Sequence, residues 1–388
     1  MLPSVLPIRY FLNPRANPSL AYGPDREKIL NREAHEDAWG EISSWEGYTP
    51  TPLQDLSGIA GGLGIGTLWY KDEGQRLGLG SFKALGGIYG VYRVLQDFVE
   101  QETGRLGLSS RDLAAPSFAQ LLSEFTVTCA SAGNHGRAVA RGAEMFGCRS
   151  VVFLPSHTSS HRMEAIRELG ARTVPVEGTY DDAVDMAARE ADRNGWSVVA
   201  DTTYPGYVDV PRFIMQGYTV LVREVLEQLP EGETPTHVFL QAGVGGLAAA
   251  VTGHLWEHLG RNRPRVVIVE PAEADCLLES SLHASPTPST GMLRTSMDCL
   301  ACRNVSALAW EILAEGADAF LTIPDYAAAA AVDTLRRGTG GDSVVRTQPS
   351  GAAGFAGLIA ANFEPTLAGP LGLGKASKVL IIGSEGPA

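Results

Sequence analysis

The residue best suited to chemistry is Lys83, in Gly80-Ser81-Phe82-Lys83-Ala84-Leu85-Gly86-Gly87. Thr67 to Tyr70 reads as a strand, charged residues and glycines follow, and a segment of helical period runs from Ser81 to about Phe98. Lys83 therefore falls in the first turn of a helix. That end of a helix carries partial positive charge and disfavours an ammonium. A lysine that spends time as a neutral amine can form a Schiff base with an aldehyde. Taken alone, Lys83 also reads as a solvated surface residue. Three further stretches are glycine-rich and short of charge: Ser131-Ala132-Gly133-Asn134-His135-Gly136, Gly243-Val244-Gly245-Gly246-Leu247 and Gly383-Ser384-Glu385-Gly386. The second follows an apolar run, Thr236 to Gln241, and opens a helix. Its backbone N–H groups, with no side chains in the way, suit a dianionic phosphate. It is neither a Walker loop, since no Lys-Ser/Thr follows, nor a GxGxxG fingerprint. An ordinary tight turn is the other reading. A phosphate held without a lysine matches a pre-bound cofactor better than a hydrolysed nucleotide.

The elements that must position these residues alternate. Strands are expected at Phe125–Cys129, Ser150–Leu154, Arg172–Val176, Ser197–Ala200, Val266–Glu270, Ala319–Ile323 and Val379–Ile382. Helices are expected at His161–Leu169, Tyr180–Asn194, Met215–Gln228, Val305–Ala314, Asp325–Arg336 and Gly351–Ala361. This alternation implies an α/β fold with mostly parallel sheet covered on both faces. At 388 residues the chain buries a large core and divides into two lobes. Residues 1–90 and 205–388 are expected to form the larger lobe, with 91–204 inserted as the smaller. Residues 1–47 read as an arm with little regular structure, Gln101–Gln120 as a surface insertion, and Pro271–Thr295 as the least regular part. With 44% hydrophobic and 19% charged residues, the composition is that of a globular chain. The net charge of −13 argues against a nucleic-acid partner. No apolar run reaches the length of a membrane span, and the N-terminus does not read as a secretory signal, so a cytoplasmic location is expected. Five cysteines in such a chain do not suggest a disulfide framework. Cys299 and Cys302 have CxxC spacing, but no second pair or suitable histidines follow, so no metal is expected. A local bridge from Cys276 to Cys302 or Cys299 is the open alternative.

In the order lysine, SxGNHG, glycine loop and C-terminal serine, the chain resembles the pyridoxal-phosphate enzymes of the tryptophan-synthase-β type (fold type II). Within that group it most resembles the diaminopropionate ammonia-lyases. The supporting stretches are Tyr48 to Leu53, Lys71-Asp72-Glu73, Phe82-Lys83 with Leu85-Gly86-Gly87, Ala200-Asp201-Thr202, Met215 to Tyr218 and Leu308 to Leu313. The resemblance runs from about residue 45 to the C-terminus. It implies a homodimer of two-lobed subunits with pyridoxal 5'-phosphate between the lobes, bound by Phe82, Lys83, Asn134, Gly243, Val244, Gly245, Gly246, Leu247 and Ser384. It assigns Asn134 to the cofactor's phenolic oxygen and Ser384 to its ring nitrogen. A neutral hydroxyl at that nitrogen does not enforce a protonated ring, which leaves a weaker electron sink.

The resemblance also places the substrate carboxylate on the loop of Ser131, Ala132, Gly133 and His135, with His135 packing or hydrogen-bonding rather than acting as a base. Asp201 stands where the ammonia-lyases carry a substrate-facing aspartate, able to hold a β-ammonium or protonate a leaving amine. A turn cap is its alternative role. Tyr204 and Tyr207 are expected to line the same pocket. Lys83 and Asp201 are thus the expected catalytic pair, for α,β-elimination from L-2,3-diaminopropionate to pyruvate and ammonia. The alternatives are dehydration of serine, threonine or 3-hydroxyaspartate, and a non-catalytic cofactor-binding protein. Two residues depart from the family pattern. Ala132 replaces the aspartate of lyases that accept both enantiomers, which argues against D-substrates. Gln348 replaces a glutamate just before Ser350-Gly351-Ala352.

Overall fold

The structure is a computed structural model that describes residues 7–387. Its apolar runs become eleven strands among the described residues. They are β1 Tyr10–Leu12, β2 Leu53–Asp55, β3 Thr67–Asp72, β4 Thr126–Ala130, β5 Arg149–Pro155, β6 Arg172–Val176, β7 Ser197–Val198, β8 His237–Gln241, β9 Arg265–Pro271, β10 Ala319–Ile323 and β11 Lys378–Gly383. The chain divides into two units. One takes the described part of Met1–Arg32 with Thr49–Phe82 and Leu221–Ala388; the other takes Glu33–Tyr48 and Lys83–Val220.

The first unit holds a seven-stranded sheet in the order β1-β10-β9-β8-β11-β3-β2. Its inner strands pair in parallel, while β1 and β2 close the two edges antiparallel. Strands β8 and β10 are buried at every residue, which is why their sequences are mostly apolar rather than alternating. Phe239, Val267, Leu321, Phe355 and Ile381 belong to its core. The helix Pro349–Phe363 reaches the sheet closely because it is built from small residues. A Cβ on Gly357 would lie 2.4 Å from a Val269 methyl.

A charged cluster is sealed inside this unit. Glu224 accepts from Lys71 Nζ at 2.6 Å and from Arg76 at 2.6 and 2.7 Å, and Arg76 also pairs with Glu73 at 2.7 Å. All four side chains are fully buried. The cluster fixes the turn Glu73–Gly78, which delivers the chain to Phe82.

The second unit holds a four-stranded parallel sheet in the order β6-β5-β4-β7. Its helix Lys83–Thr103 packs on the helix Asn134–Phe146 through missing side chains. A Cβ on Gly87 would lie 2.5 Å from Ala138 Cβ, and one on Gly142 would lie 2.9 Å from Val91 Cβ.

Three segments depart from expectation. The arm contains β1 and a helix, Arg32–Ser44, that buries His35, Ala38 and Ile42. Three apolar-face residues among many charges gave too weak a period to read. The expected surface insertion, Gln101–Gln120, contains the helix Ser110–Leu113 and the start of the helix Ala119–Glu124, and buries Leu108, Leu113 and Phe118. The irregular stretch after β9 contains the helix Cys276–His283. Among the described residues, no helix is long and apolar enough to cross a membrane.

Candidate active site

The candidate residues fall into two groups, one in each unit. In the second unit, Lys83 is the first residue of its helix, where its charge is unfavourable. Asp201, three residues beyond β7, supplies the compensation by forming an ion pair with Lys83 Nζ. Lys83 Nζ also lies 5.8 Å from the centroid of the Tyr218 ring. Burial works to raise the Asp201 carboxyl. The charge of Lys83, with the hydrogen bond it makes, outweighs burial and holds Asp201 well below the usual carboxylate range.

His135 Nδ1 lies 3.9 Å from Asp201 Oδ2, too far for a hydrogen bond. Its Nε2 lies 2.8 Å from the Val199 carbonyl, an acceptor only, so Nε2 carries the hydrogen. Burial lowers the His135 pKa against the pull of Asp201, so the ring is neutral and Nδ1 is a buried acceptor without a donor. The preceding loop is shaped by Ser131, whose Oγ accepts from Gly133 N at 3.2 Å. Gly136 allows its close approach: a Cβ there would lie 2.2 Å from the Ser131 carbonyl oxygen. No side chain caps the helix that Asn134 opens. Ala132 is half-buried in the same loop. Tyr204 stacks on Tyr207 with ring centroids 4.5 Å apart and stays 42% exposed. The Tyr207 hydroxyl donates to Val198 O and accepts from Ala200 N, both at 2.9 Å, which steadies the backbone just before Asp201.

In the first unit, β8 runs through Ala242 into the glycine loop. Gly245 has φ +94°, a left-handed conformation that favours glycine, and no side chain caps the helix Gly246–Leu259 that follows. Ser306 N donates to Val244 O at 2.9 Å, so the loop is held by a carbonyl. Among the backbone hydrogen bonds of the described residues, none uses the amides of Gly243, Val244 or Gly245. Gly243 must be small: a Cβ there would lie 2.8 Å from Cys302 Sγ. Cys276 Sγ reaches the Gly243 carbonyl at 3.5 Å, and Cys276 is bridged to neither Cys299 nor Cys302.

At the end of β11, Ser384 O accepts from Phe82 N at 3.1 Å, and Gly80 O accepts from Gly386 N at 2.9 Å. The residue directly before Lys83 is thus pinned to the C-terminal serine. Ser384 Oγ accepts from Gln241 Nε2 at 2.8 Å. Gln348 opens the helix Pro349–Phe363 without capping it by its side chain. The nearby acid is Glu385, whose Oε2 lies 3.4 Å from Cys299 Sγ and whose backbone oxygen accepts from Thr347 at 2.6 Å. Gln241, Tyr218 and Glu385 are the neighbours that sequence reasoning did not assign to the site. Gln241 left one signal, a polar residue ending the otherwise apolar Val238 to Leu240.

The second unit thus carries an amine paired with a half-buried acid, and the first carries a glycine loop whose amides take no backbone partner and a buried serine at a strand end. Residues 45–383 match the family described as pyridoxal-phosphate dependent enzyme, and the chain belongs to that family. It is a lyase of the α,β-elimination type, related to diaminopropionate ammonia-lyase. The diaminopropionate ammonia-lyase of Escherichia coli (strain K12) is 36% identical over 345 residues, covering 88% of this chain and 85% of that protein. The structure of the selenomethionine-incorporated holo form of diaminopropionate ammonia lyase from Escherichia coli superposes with a TM-score of 0.88 at 34% identity, covering 98% of this chain and 94% of that one. Its complex with D-serine gives 0.87 at 34% identity and the same coverage.

The residues present fit pyridoxal 5'-phosphate. The uncommitted amides of the glycine loop suit its phosphate. Ser384 is 5% exposed and has no acceptor for its hydrogen among the described residues, which suits a ring nitrogen. Lys83 carries an amine of the kind that suits its aldehyde.

Proposed function

We propose that the chain catalyses ammonia elimination from L-2,3-diaminopropionate, giving pyruvate and two ammonia. Lys83 would hold the cofactor's aldehyde carbon, the Gly243–Leu247 amides its phosphate, Asn134 its phenolic oxygen and Ser384 its ring nitrogen, with Phe82 beside it. When bound, the cofactor draws electrons from the substrate Cα, which acidifies the Cα proton and allows the β-substituent to leave.

The observation that carries the reading is the ion pair between Lys83 and Asp201. The half-buried carboxylate that pairs with this alkylammonium would pair equally with the β-ammonium of a diamino acid. A β-ammonium needs no added proton to depart: the Cβ–N bond breaks, its electron pair stays on nitrogen, and ammonia leaves. Lys83, once free, takes the Cα proton. The backbone amides at the Ser131–Gly136 loop would take the substrate carboxylate, with Ala132, Gly133, His135 and Tyr204 beside it. Released enamine then reacts with water to give pyruvate and the second ammonia. A β-hydroxyl offers Asp201 no charge to pair, and an ionised Asp201 has no proton to give it. The β-hydroxy substrates are therefore the second choice, kept in view by the D-serine complex of the Escherichia coli protein.

A homodimer in the cytoplasm belongs to the same proposal, and light scattering after size exclusion tests the dimer. The deciding experiment measures ammonia and pyruvate release from L- and D-2,3-diaminopropionate, L- and D-serine, L-threonine and 3-hydroxyaspartate. The expected result is two ammonia per pyruvate and the highest kcat/KM on the L-diamine; a higher value on any hydroxy acid overturns the substrate assignment. The protein should show a band near about 410–430 nm that is absent in Lys83→Ala.

A further inference from the structure

Ser384 does not stand alone. Its neighbour Gln241, the last residue of β8, is 2% exposed and makes both of its amide hydrogen bonds from the same nitrogen. Nε2 donates to the Ile382 carbonyl at 2.8 Å and to Ser384 Oγ at 2.8 Å. The orientation of this amide is fixed by chemistry: a backbone carbonyl only accepts, so the atom facing Ile382 must be the nitrogen. Turning the amide over would set Oε1 against the Ile382 oxygen and leave both acceptors unpaired in a buried site. The helix Pro349–Phe363 backs the side chain. A Cβ on Gly354 would come within 2.9 Å of Gln241 Oε1. That Oε1 has no donor in the structure, so Gln241 gives up one hydrogen bond to keep this orientation.

The consequence falls on the serine hydroxyl. Its oxygen receives a hydrogen from Gln241, so its own hydrogen must point elsewhere. Among the described residues no acceptor is bonded to it. A protonated ring nitrogen facing Ser384 would require the hydroxyl to accept a second time and would orphan its buried hydrogen. An unprotonated nitrogen accepts that hydrogen and satisfies every group except Gln241 Oε1.

We propose that Gln241 is the positioning residue that sets the protonation state of the cofactor's ring nitrogen, by holding Ser384 as a hydrogen-bond donor. This rests on the proposed placement of the ring nitrogen at Ser384. Gln241 touches neither substrate nor cofactor; it acts through the serine.

The test uses holoenzyme loaded with pyridoxal phosphate labelled with 15N in the ring, whose nitrogen resonance differs widely between protonated and unprotonated forms. The wild type should show the unprotonated resonance, unmoved across the neutral pH range. In Gln241→Glu an oxygen replaces Nε2 and accepts from Ser384, which turns the hydroxyl hydrogen away from the ring. The resonance should then move most of the way to the protonated position. In Gln241→Met the hydroxyl is released, and the resonance should become pH-dependent and intermediate. Ser384→Ala should also shift it. A protonated resonance in the wild type overturns the proposal. So does an unmoved resonance in Gln241→Met, a variant that decides the matter even if Gln241→Glu fails to fold by circular dichroism. If Ser384→Ala leaves the signal unchanged, the placement of the ring at Ser384 fails, and this inference with it. If Ser384→Ala shifts the signal and the Gln241 variants do not, only the role of Gln241 is lost.

Discussion

Adding one methyl group at Gly86 should disable the enzyme, whereas the same change one turn later should be harmless. Both glycines lie on the Lys83 helix and face the helix Asp209–Gln228. A Cβ on Gly86 would lie 2.4 Å from Tyr218 Cε1 and 2.5 Å from the Ile214 carbonyl oxygen. A backbone oxygen cannot step aside alone, so the two helices must separate by about 1 Å to restore ordinary contact near 3.5 Å. Overpacking of this kind costs about 1–3 kcal/mol, against which alanine returns up to about 1 kcal/mol of helix propensity. A Cβ on Gly90 would meet only Ile214 side-chain carbons, at 2.8 and 3.4 Å, and Val199 Cγ1 at 3.5 Å. The nearest, Ile214 Cγ1, is a side-chain methylene that a small χ1 rotation moves without moving either backbone, so propensity and packing nearly cancel there. Lys83 lies one turn from Gly86, and a shift of about 1 Å at a reacting group costs on the order of 100-fold in rate. Urea unfolding and ammonia release on purified Gly86→Ala and Gly90→Ala check both halves. Gly86→Ala should lose about 1–2 kcal/mol and roughly 100-fold in kcat/KM. Gly90→Ala should stay within about 0.5 kcal/mol and a few-fold of wild type. Equal losses in the two variants, or full activity in Gly86→Ala, would refute the argument that backbone contact sets the lysine's position.

Five other outcomes are expected. Asp201→Asn should keep the cofactor band and lose about 10- to 150-fold in kcat/KM on the diamine, the worth of a hydrogen bond to a charged group at about 1.5–3 kcal/mol; stopped assays of ammonia read it. Because Asp201 is held below the usual carboxylate range, it stays ionised through neutral and mildly acidic pH, so it should not set the acid limb of the wild-type profile. Glu224→Ala strands Lys71 and Arg76 without their shared anion and should cost about 3–5 kcal/mol in urea unfolding. D-2,3-diaminopropionate should be turned over far more slowly than the L-isomer, since Ala132 has no group to take its Cα proton; equal rates would contradict this. Finally, burial pushes the Glu270 carboxyl up to about 8, although Leu277 and Leu278 N–H groups oppose the shift. A raised acid favours the folded chain while protonated, so stability should fall as pH rises from the unfolded value toward 8 and level off above. The fall is at most about 5 kcal/mol, at 1.4 kcal/mol per pKa unit. Melting curves of wild type and Glu270→Gln should differ in slope over that window.

The sequence by itself determined the alternation of elements, because buried strands and amphipathic helices carry their period in local residue types. β6 and β10, for example, have the bounds expected from apolar patterning alone. It also determined the glycine loop, since only glycine at Gly245 tolerates the left-handed turn that opens the helix. It could not show that the arm holds an edge strand, since three residues of β1 carry no usable period and gain their bonds from β10. Nor could it show what Lys83 touches. Asp201 lies 118 positions away, and the close packing that Gly86 and Gly87 allow the Lys83 helix is likewise a tertiary matter. The partners of Ser384 were equally hidden: Gln241 is 143 positions distant, and parallel strands that share hydrogen bonds leave no mark of their pairing in either segment. Chemistry-bearing residue types are written locally, but the direction of each hydrogen bond among them is set by which backbones the fold brings together.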